Sequence, residues 1–129
     1  MINNHLTDAV RRLIDSGCHY RLEVLEKLYA PDLQIVIVQE NGEAATFDYQ
    51  QNRAFFRQLR DNNAPPLNTA VQFNYAAEHN GIGYVTATRR MDLGAGENKI
   101  VFTLMLRPAE NGQWQIFREH AVVVGDVAE

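Results

Sequence analysis

Residues 71–92 decide the fold class, and they read VQFNYAAEHNGIGYVTATRRMD. Up to His79 the stretch alternates apolar and polar side chains, which is the two-residue period of a β-strand with one buried face. The pair Asn80-Gly81 follows and favours a two-residue hairpin turn, because both residues accept positive φ angles. Residues 82–92 are then the returning strand. The prediction therefore starts from an antiparallel hairpin.

Two further strands extend this hairpin into a meander. Glycines over 94–96 predict a second turn into a strand over 99–107. The segment 108–112 leads into a last strand over 113–124. The sequence thus predicts a four-stranded antiparallel sheet in the second half of the chain.

The first half predicts helices around one more hairpin, from apolar residues repeating at helical spacing and from turn residues. The predicted elements are a helix ending at Gly17, a helix over 22–29 stopped by Pro31, strands over 33–39 and 43–47, and a helix capped by Asp48. Helices first and a meander afterwards is an α+β order rather than a βαβ order. A chain of 129 residues suffices for one hydrophobic core, so we predict one domain over 1–129.

The composition argues against several classes of function. Acidic residues outnumber basic ones 16 to 12, which disfavours nucleic acid as the main partner. Cys18 is the only cysteine and the 4 histidines lack ligand spacing, so we predict no disulfide, metal or cofactor. Apolar runs fall short of the roughly 20 residues that span a membrane. With no signal-peptide pattern at its start, the protein is expected in the cytoplasm.

The turn positions set a sheet register, and the register predicts the lining of a pocket. The predicted rows are Ala77–Tyr84–Leu106–Trp114, Tyr75–Thr86–Leu104–Ile116, Phe73–Thr88–Phe102–Arg118 and Val71–Arg90–Ile100–His120. These rows put nearly every large apolar residue on one face, with Trp114 and Phe102 as pocket wall. The opposite face stays half apolar, which predicts a homodimer through this outer sheet face.

The basic groups of the predicted pocket face cluster at one end of the sheet. Arg90, Arg118 and His120 would together hold a carboxylate, with His120 as a proton carrier near neutral pH. In the alternative, which stays open, the arginines pair with nearby acids and His120 donates to a backbone carbonyl. Glu119 points to the other face by alternation, unless a β-bulge reverses the pattern.

Three more side chains are predicted ligand contacts. Tyr75 shares the predicted pocket face and would orient a ligand hydroxyl or carbonyl. Tyr29 ends the second helix, and Gln39 is the one polar group that the first strand offers to the pocket. For each of them the alternative is a packing or solvation role.

The element order and two motifs resemble the nuclear transport factor 2-like superfamily, which includes SnoaL-like proteins and steroid delta-isomerases. The motifs are Leu25-Glu-Lys-Leu-Tyr-Ala-Pro-Asp32 before a strand and Asn111-Gly-Gln-Trp-Gln-Ile-Phe-Arg-Glu-His120 near the end. The resemblance covers essentially the whole chain. It implies a cone-like α+β fold, with N-terminal helices packed in a strongly curved antiparallel sheet around a pocket, usually in a homodimer.

The catalytic groups of steroid isomerases have no counterpart at the matching positions. The place of the base falls near Ile37, and that of the later acid falls among residues 102–104.

Three interpretations of the function follow, because a fold does not fix a function. The first is a protein that binds a small apolar, acidic or carbonyl-bearing molecule. The second is an isomerase, dehydratase or cyclase with His120 as acid–base, and the third is an oligomerisation module.

Overall fold

A computed structural model of the chain describes residues 4–92 and 96–125. The elements follow in the order α1 (His5–Cys18), α2 (Leu22–Leu28), β1 (Tyr29–Val38), β2 (Ala44–Asp48), α3 (Tyr49–Asp61), β3 (Gln72–His79), β4 (Ile82–Asp92), β5 (Glu97–Pro108) and β6 (Trp114–Gly125). The α+β class and the predicted order of elements are confirmed. The predicted turn over 94–96 lies mostly outside the described residues.

The strands of the described residues form one six-stranded sheet in the order β2-β1-β6-β5-β4-β3, and within this part of the chain the sheet does not close into a barrel. All neighbours are antiparallel except β1 and β6, which run parallel. The sheet is therefore mixed, with one parallel pair in a mostly antiparallel order. After β2 the chain passes through α3 and re-enters the sheet at β3, on the edge opposite β2. The meander from β3 to β6 then returns across the sheet, and β6 arrives beside β1 in the same direction.

Side-chain caps fix where the two long helices begin. The Asp48 carboxylate accepts a hydrogen bond from the Gln51 backbone N–H at 2.9 Å, and the Gln51 side chain accepts from the Asp48 N–H at 2.9 Å. Asp48 is thus the N-cap of α3, as predicted. Asn4 caps α1 in the same reciprocal way with Thr7. Over the described residues, no helix has the length and apolar character needed to cross a bilayer.

The second helix ends earlier than predicted. Tyr29 has extended backbone angles, φ −95° and ψ 135°, and it already pairs with Ile116 of β6. Pro31 disfavours helical backbone at the residue before it, so the chain leaves the helix and enters the sheet. Tyr29 consequently lies at the joint between α2 and the sheet.

The core lies between the helices and one face of the sheet, called here the inner face. Leu6 and Val10 of α1 pack there with Leu106 and Ile116, and all four are fully buried or nearly so. Gly83 permits this close approach, since a Cβ atom at that position would lie 2.5 Å from Leu6 Cδ2. By contrast α3 has no buried residue, so it covers the inner face without packing tightly on it.

The observed register differs from the predicted one between β4 and β5. The hairpin pairs His79–Ile82 and Ala77–Tyr84 are as predicted. Leu106, however, lies opposite Gly83 rather than Tyr84. A shift of one residue exchanges the two faces of a strand. The inner face of β4 therefore carries its odd-numbered residues, which are Gly83, Val85, Ala87, Arg89 and Met91.

A bulge at Phe117 changes the face pattern of β6 once more. Leu106 pairs with Ile116, whereas the preceding Met105 pairs with Arg118. The extra residue turns Glu119 toward the inner face and leaves His120 on the opposite, outer face. A bulge of this kind cannot be recognised from the alternation of apolar and polar residues in the sequence.

Candidate ligand cavity

A cavity of about 250 Å³ lies between the helices and the inner face of the sheet. Most of its wall is apolar and comes from α1, β1, β2, α3 and β5; examples are Leu13, Ile14, Ile35, Phe47, Phe56 and Leu104. The volume lies just below the roughly 300–1,000 Å³ typical of ligand pockets. The cavity thus suits a small organic molecule.

A few polar side chains interrupt this apolar wall, and they come from separate parts of the chain. They are Cys18, Tyr29, Gln39, Asn52, Arg89 and Glu119. A mostly apolar cavity with a few convergent polar groups is the usual form of a site that orients a small ligand.

Glu119 lies between apolar neighbours on the inner face. Its cross-strand partners are Ile35 on β1 and Leu104 on β5. Burial raises the pKa of the Glu119 carboxyl from 4.5 to about 7, against the opposing effect of the positive charge on Arg89. Near neutral pH the group therefore populates both protonation states, as proton transfer or switchable hydrogen bonding requires.

Arg89 brings a fixed positive charge from β4 into the same cavity. Its Nη2 donates to the Asn68 carbonyl at 2.7 Å and to Cys18 Sγ at 3.2 Å. The guanidinium carbon lies 5.9 Å from the centre of the Phe102 ring. Nε is buried and meets no acceptor in the part of the chain that the structure describes. Nor does any acid of residues 4–92 and 96–125 form an ion pair with Arg89.

Tyr29 adds a protonated phenol to the site. Burial and the nearby Glu119 charge raise the pKa of Tyr29 well above 10.0, while the Asn52 side chain and Arg89 act in the opposite direction. The hydroxyl therefore keeps its proton at all physiological pH values. Tyr29 lines the cavity together with Asn52 and Glu119.

Three of the residues predicted as ligand contacts line this cavity. They are Tyr29, Gln39 and Phe102. Tyr75 instead lies exposed on the outer face, with its hydroxyl 3.1 Å from His79 Nε2. Trp114 packs at the edge of the core and stacks on His5 with ring centres 5.8 Å apart.

The predicted basic cluster does not form at the cavity. His120 is exposed on the outer face opposite Thr103. Arg118 donates through Nη1 to the Asp32 carbonyl at 3.0 Å, and Arg90 reaches Glu97 at 3.1 Å. The shifted register and the bulge put these basic groups on the outer face, away from the cavity.

Sequence reasoning missed Arg89, Asn52 and Glu119. Arg89 and Arg90 are neighbours, so a one-residue error in register exchanges them. Asn52 lies one helical turn before Phe56, a spacing that puts both on the same side of α3. For Glu119 the only available signal was the possibility of a bulge. Within the described residues, no group of His, Cys, Asp or Glu is arranged to hold a metal ion.

Solved structures share this architecture along nearly the whole chain. An NTF2-like protein from Cytophaga hutchinsonii superposes with a TM-score of 0.71 at 15% identity, covering 95% of this chain and 99% of its own. An NTF-2 like protein of unknown function from Silicibacter pomeroyi gives 0.70 at 16% identity, with 92% of both chains covered. A ketosteroid isomerase-like protein from Erwinia carotovora atroseptica gives 0.63 at 12% identity, covering 96% of this chain and 99% of its own.

These likenesses rest on structure rather than on sequence. No protein-family profile matches the chain and no curated protein matches it significantly. The chain has the NTF2-like fold, as the two sequence motifs predicted. Identities of 12–16% establish the fold and leave the function to be argued from the cavity.

Proposed function

We propose that this chain, which has the NTF2-like fold, is a SnoaL-like protein that binds a small, largely apolar molecule through an acidic or carbonyl head group. The observation that carries the proposal is the position of Arg89. Its guanidinium lines an apolar cavity, and no acid of the described residues pairs with it. A charge in such surroundings is stabilised by a ligand oxygen that accepts its hydrogen bonds.

The apolar wall supports the same proposal from the other end of the ligand. Leu13, Phe56 and Phe102 lie around the space beside Arg89. They would bury a hydrocarbon or aromatic tail, which contributes about 25 cal/mol for each Å² removed from water. The head group then sets the orientation and the tail supplies most of the affinity.

Binding assays with matched variants test this function. Isothermal titration of small carboxylic acids and ketones would be run on wild type, Arg89→Met and Arg12→Met. Loss of hydrogen bonds to a charged group weakens binding by roughly 10- to 100-fold, so we expect that loss in Arg89→Met alone. Arg12→Met removes a similar side chain from an exposed position of α1 and should bind like wild type. Binding that survives Arg89→Met, or no binding by either class of compound, would contradict the proposal.

A second candidate function is an acid–base enzyme of the isomerase, dehydratase or cyclase type. Glu119 rather than His120 would be its proton carrier, since the Glu119 pKa is about 7 and its carboxyl lines the cavity. Tyr29 and Arg89 would stabilise a developing enolate. Glu119→Gln would then abolish turnover of a bound ketone while preserving its binding. Unchanged turnover in that variant would exclude this mechanism.

We also propose that a second copy of the chain covers the outer face of the sheet. Tyr75, Val122 and Val124 are exposed there by 46%, 48% and 41%. Exposed apolar groups of this extent on one sheet face favour association. Light scattering at micromolar concentration should give the mass of a dimer, and the mass of a monomer would refute this partner.

A further inference from the structure

The cavity combines one fixed positive charge with one carboxyl group whose charge depends on pH. Arg89 and Glu119 both line it, yet the structure gives no ion pair between them within 4.0 Å. No hydrogen bond of the described residues ends on the Glu119 carboxyl either. The two groups are therefore available to a ligand rather than to each other.

We propose that the cavity selects a monocarboxylic acid and takes it up together with one proton, which resides on Glu119. This inference rests on the proposed binding function and adds the ligand class and its regulation by pH. The carboxylate of the ligand would accept hydrogen bonds from Arg89. The protonated Glu119 would donate a further one.

The charges in the cavity decide this stoichiometry. With Glu119 protonated, Arg89 and the ligand carboxylate cancel each other in apolar surroundings. With Glu119 ionised, two carboxylates share a single cation, and this arrangement leaves an uncompensated negative charge away from water. The bound ligand therefore raises the proton affinity of Glu119, since a nearby like charge disfavours the ionised form.

Among the described residues, no other charged group of the cavity is placed to take the role of Arg89 or Glu119. The remaining titratable groups of this part of the chain that line it are Cys18 from α1 and Tyr29 from β1, while α3 contributes the uncharged Asn52. Behind Tyr29, the acid of α2 and the base of α3 form an ion pair with each other, Glu26 with Arg53. Their charges cancel locally, so Arg89 remains the cation that faces Glu119.

The test compares the binding of a carboxylic acid with that of its uncharged amide analogue at several pH values. Titrations would use 4-phenylbutyrate and 4-phenylbutyramide, with hexanoate, octanoate and decanoate as linear acids, at pH 5.5, 7.0 and 8.5. Between pH 7.0 and 8.5 we expect the Kd of the acids to rise by roughly 15-fold, approaching tenfold per pH unit at the upper end, because the proton must be supplied by solvent. Repeating the titrations in buffers of different ionisation enthalpy should show close to one proton taken up per acid at pH 8.5. The amide should bind with the same Kd throughout.

Two variants separate Glu119 from other titrating groups. Glu119→Gln imitates the protonated carboxyl, so it should bind the acids at pH 8.5 as tightly as wild type does at pH 5.5, without pH dependence. His120→Gln changes the neighbouring residue on the outer face and should keep the wild-type profile. Far-UV circular dichroism would establish that both variants are folded.

The outcomes distinguish this inference from the function on which it rests. Acids that bind with a pH-independent Kd, or a pH dependence that persists in Glu119→Gln, would overturn proton-coupled uptake and leave the binding function intact. Binding of the amide without binding of any acid would likewise overturn the ligand class alone. If neither acids nor amide bind at any pH, the proposed function itself fails.

Discussion

The two faces of the sheet carry the same kinds of ionisable residue in opposite circumstances. On the outer face Arg107 pairs with Asp32 at 2.5 Å and Arg90 with Glu97 at 3.1 Å. On the inner face Arg89 and Glu119 share a cavity without an ion pair in the described residues. The difference teaches that surroundings, rather than residue type, decide the direction in which the pKa of a carboxyl shifts: the hydrogen bond from Arg107 lowers that of Asp32, and burial raises that of Glu119.

The outer face also determines what the inner face can do. Two guanidinium groups lie over the Phe117 ring at the bulge, Arg107 at 4.7 Å and Arg118 at 5.4 Å from its centre. Asp32 connects both, by its carboxylate to Arg107 and by its backbone carbonyl to Arg118. These contacts hold the bulge, and the bulge turns Glu119 into the cavity. The ionic cluster outside thus sets the chemistry inside.

The largest contrast between the faces is expected from truncating neighbouring residues of β5. Leu106 on the inner face is fully buried, so Leu106→Ala should lower the free energy of unfolding by about 3 kcal/mol through lost burial and a cavity. Met105 is half-buried on the outer face, and Met105→Ala should cost less than about 1 kcal/mol. Urea unfolding of both variants measures the difference.

The same pair of variants also reports on the proposed dimer. If a second copy covers the outer face, the loss in free energy of unfolding caused by Met105→Ala should grow with protein concentration. The loss caused by Leu106→Ala should be larger than that at every concentration. Equal costs for the two variants at every concentration would remove the distinction between a core face and an outer face.

A smaller effect, of opposite sign, is expected from Glu119→Gln. The pKa of Glu119 is raised to about 7, so its contribution to stability is fully present below pH 4.5 and is lost as the pH rises to about 7. The variant cannot ionise. We expect it to exceed wild type in stability by about 2 kcal/mol at pH 8 and to match it at pH 4.5.

Glu110 supplies the control for this pH dependence, because its side chain is exposed in the turn before β6. Glu110→Gln should change the free energy of unfolding by less than about 0.5 kcal/mol at both pH values. Thermal unfolding at pH 4.5 and pH 8 covers all three proteins. A Glu119→Gln variant that is less stable than wild type at pH 8 would show that the ionised carboxylate is stabilised in the cavity.

Much of the fold could be predicted from the sequence because its signals are local. The hairpin at Asn80-Gly81, the N-cap at Asp48 and the helical spacing of Leu6 and Val10 each depend on residues close together in the chain. The parallel contact of β1 with β6 could not be predicted in this way. It joins segments that are far apart and follows from the path of the chain through α3.

The cavity lining was less predictable because it depends on sheet register, in which a single residue exchanges the faces. Tyr29 starts β1 and Gln39 follows its end, and both line the cavity as the sequence suggested. They do so although the pairing of β1 with β6 shifts in register between Tyr29 and Gln34. Arg118 and His120 follow the bulge at Phe117 and lie outside it. The contacts that stabilise that bulge come from Asp32 and Arg107, which are distant in sequence.

The smallest effect is expected where those distant residues meet. Hydrogen bonding to Arg107 lowers the Asp32 pKa below 3.8, so this pair contributes stability above pH 3.8 and loses it as the pH falls. Because the two side chains are 39% and 52% exposed, Asp32→Asn should cost only about 0.5 kcal/mol at pH 7 and nothing near pH 2.5. Asp61→Asn, at an exposed pair within α3, is the control and should be neutral. Urea unfolding at both pH values measures the costs. A loss that persists at pH 2.5 would mean that Asp32 holds the bulge through its backbone and packing rather than through its charge, and the link between the two faces would then be steric.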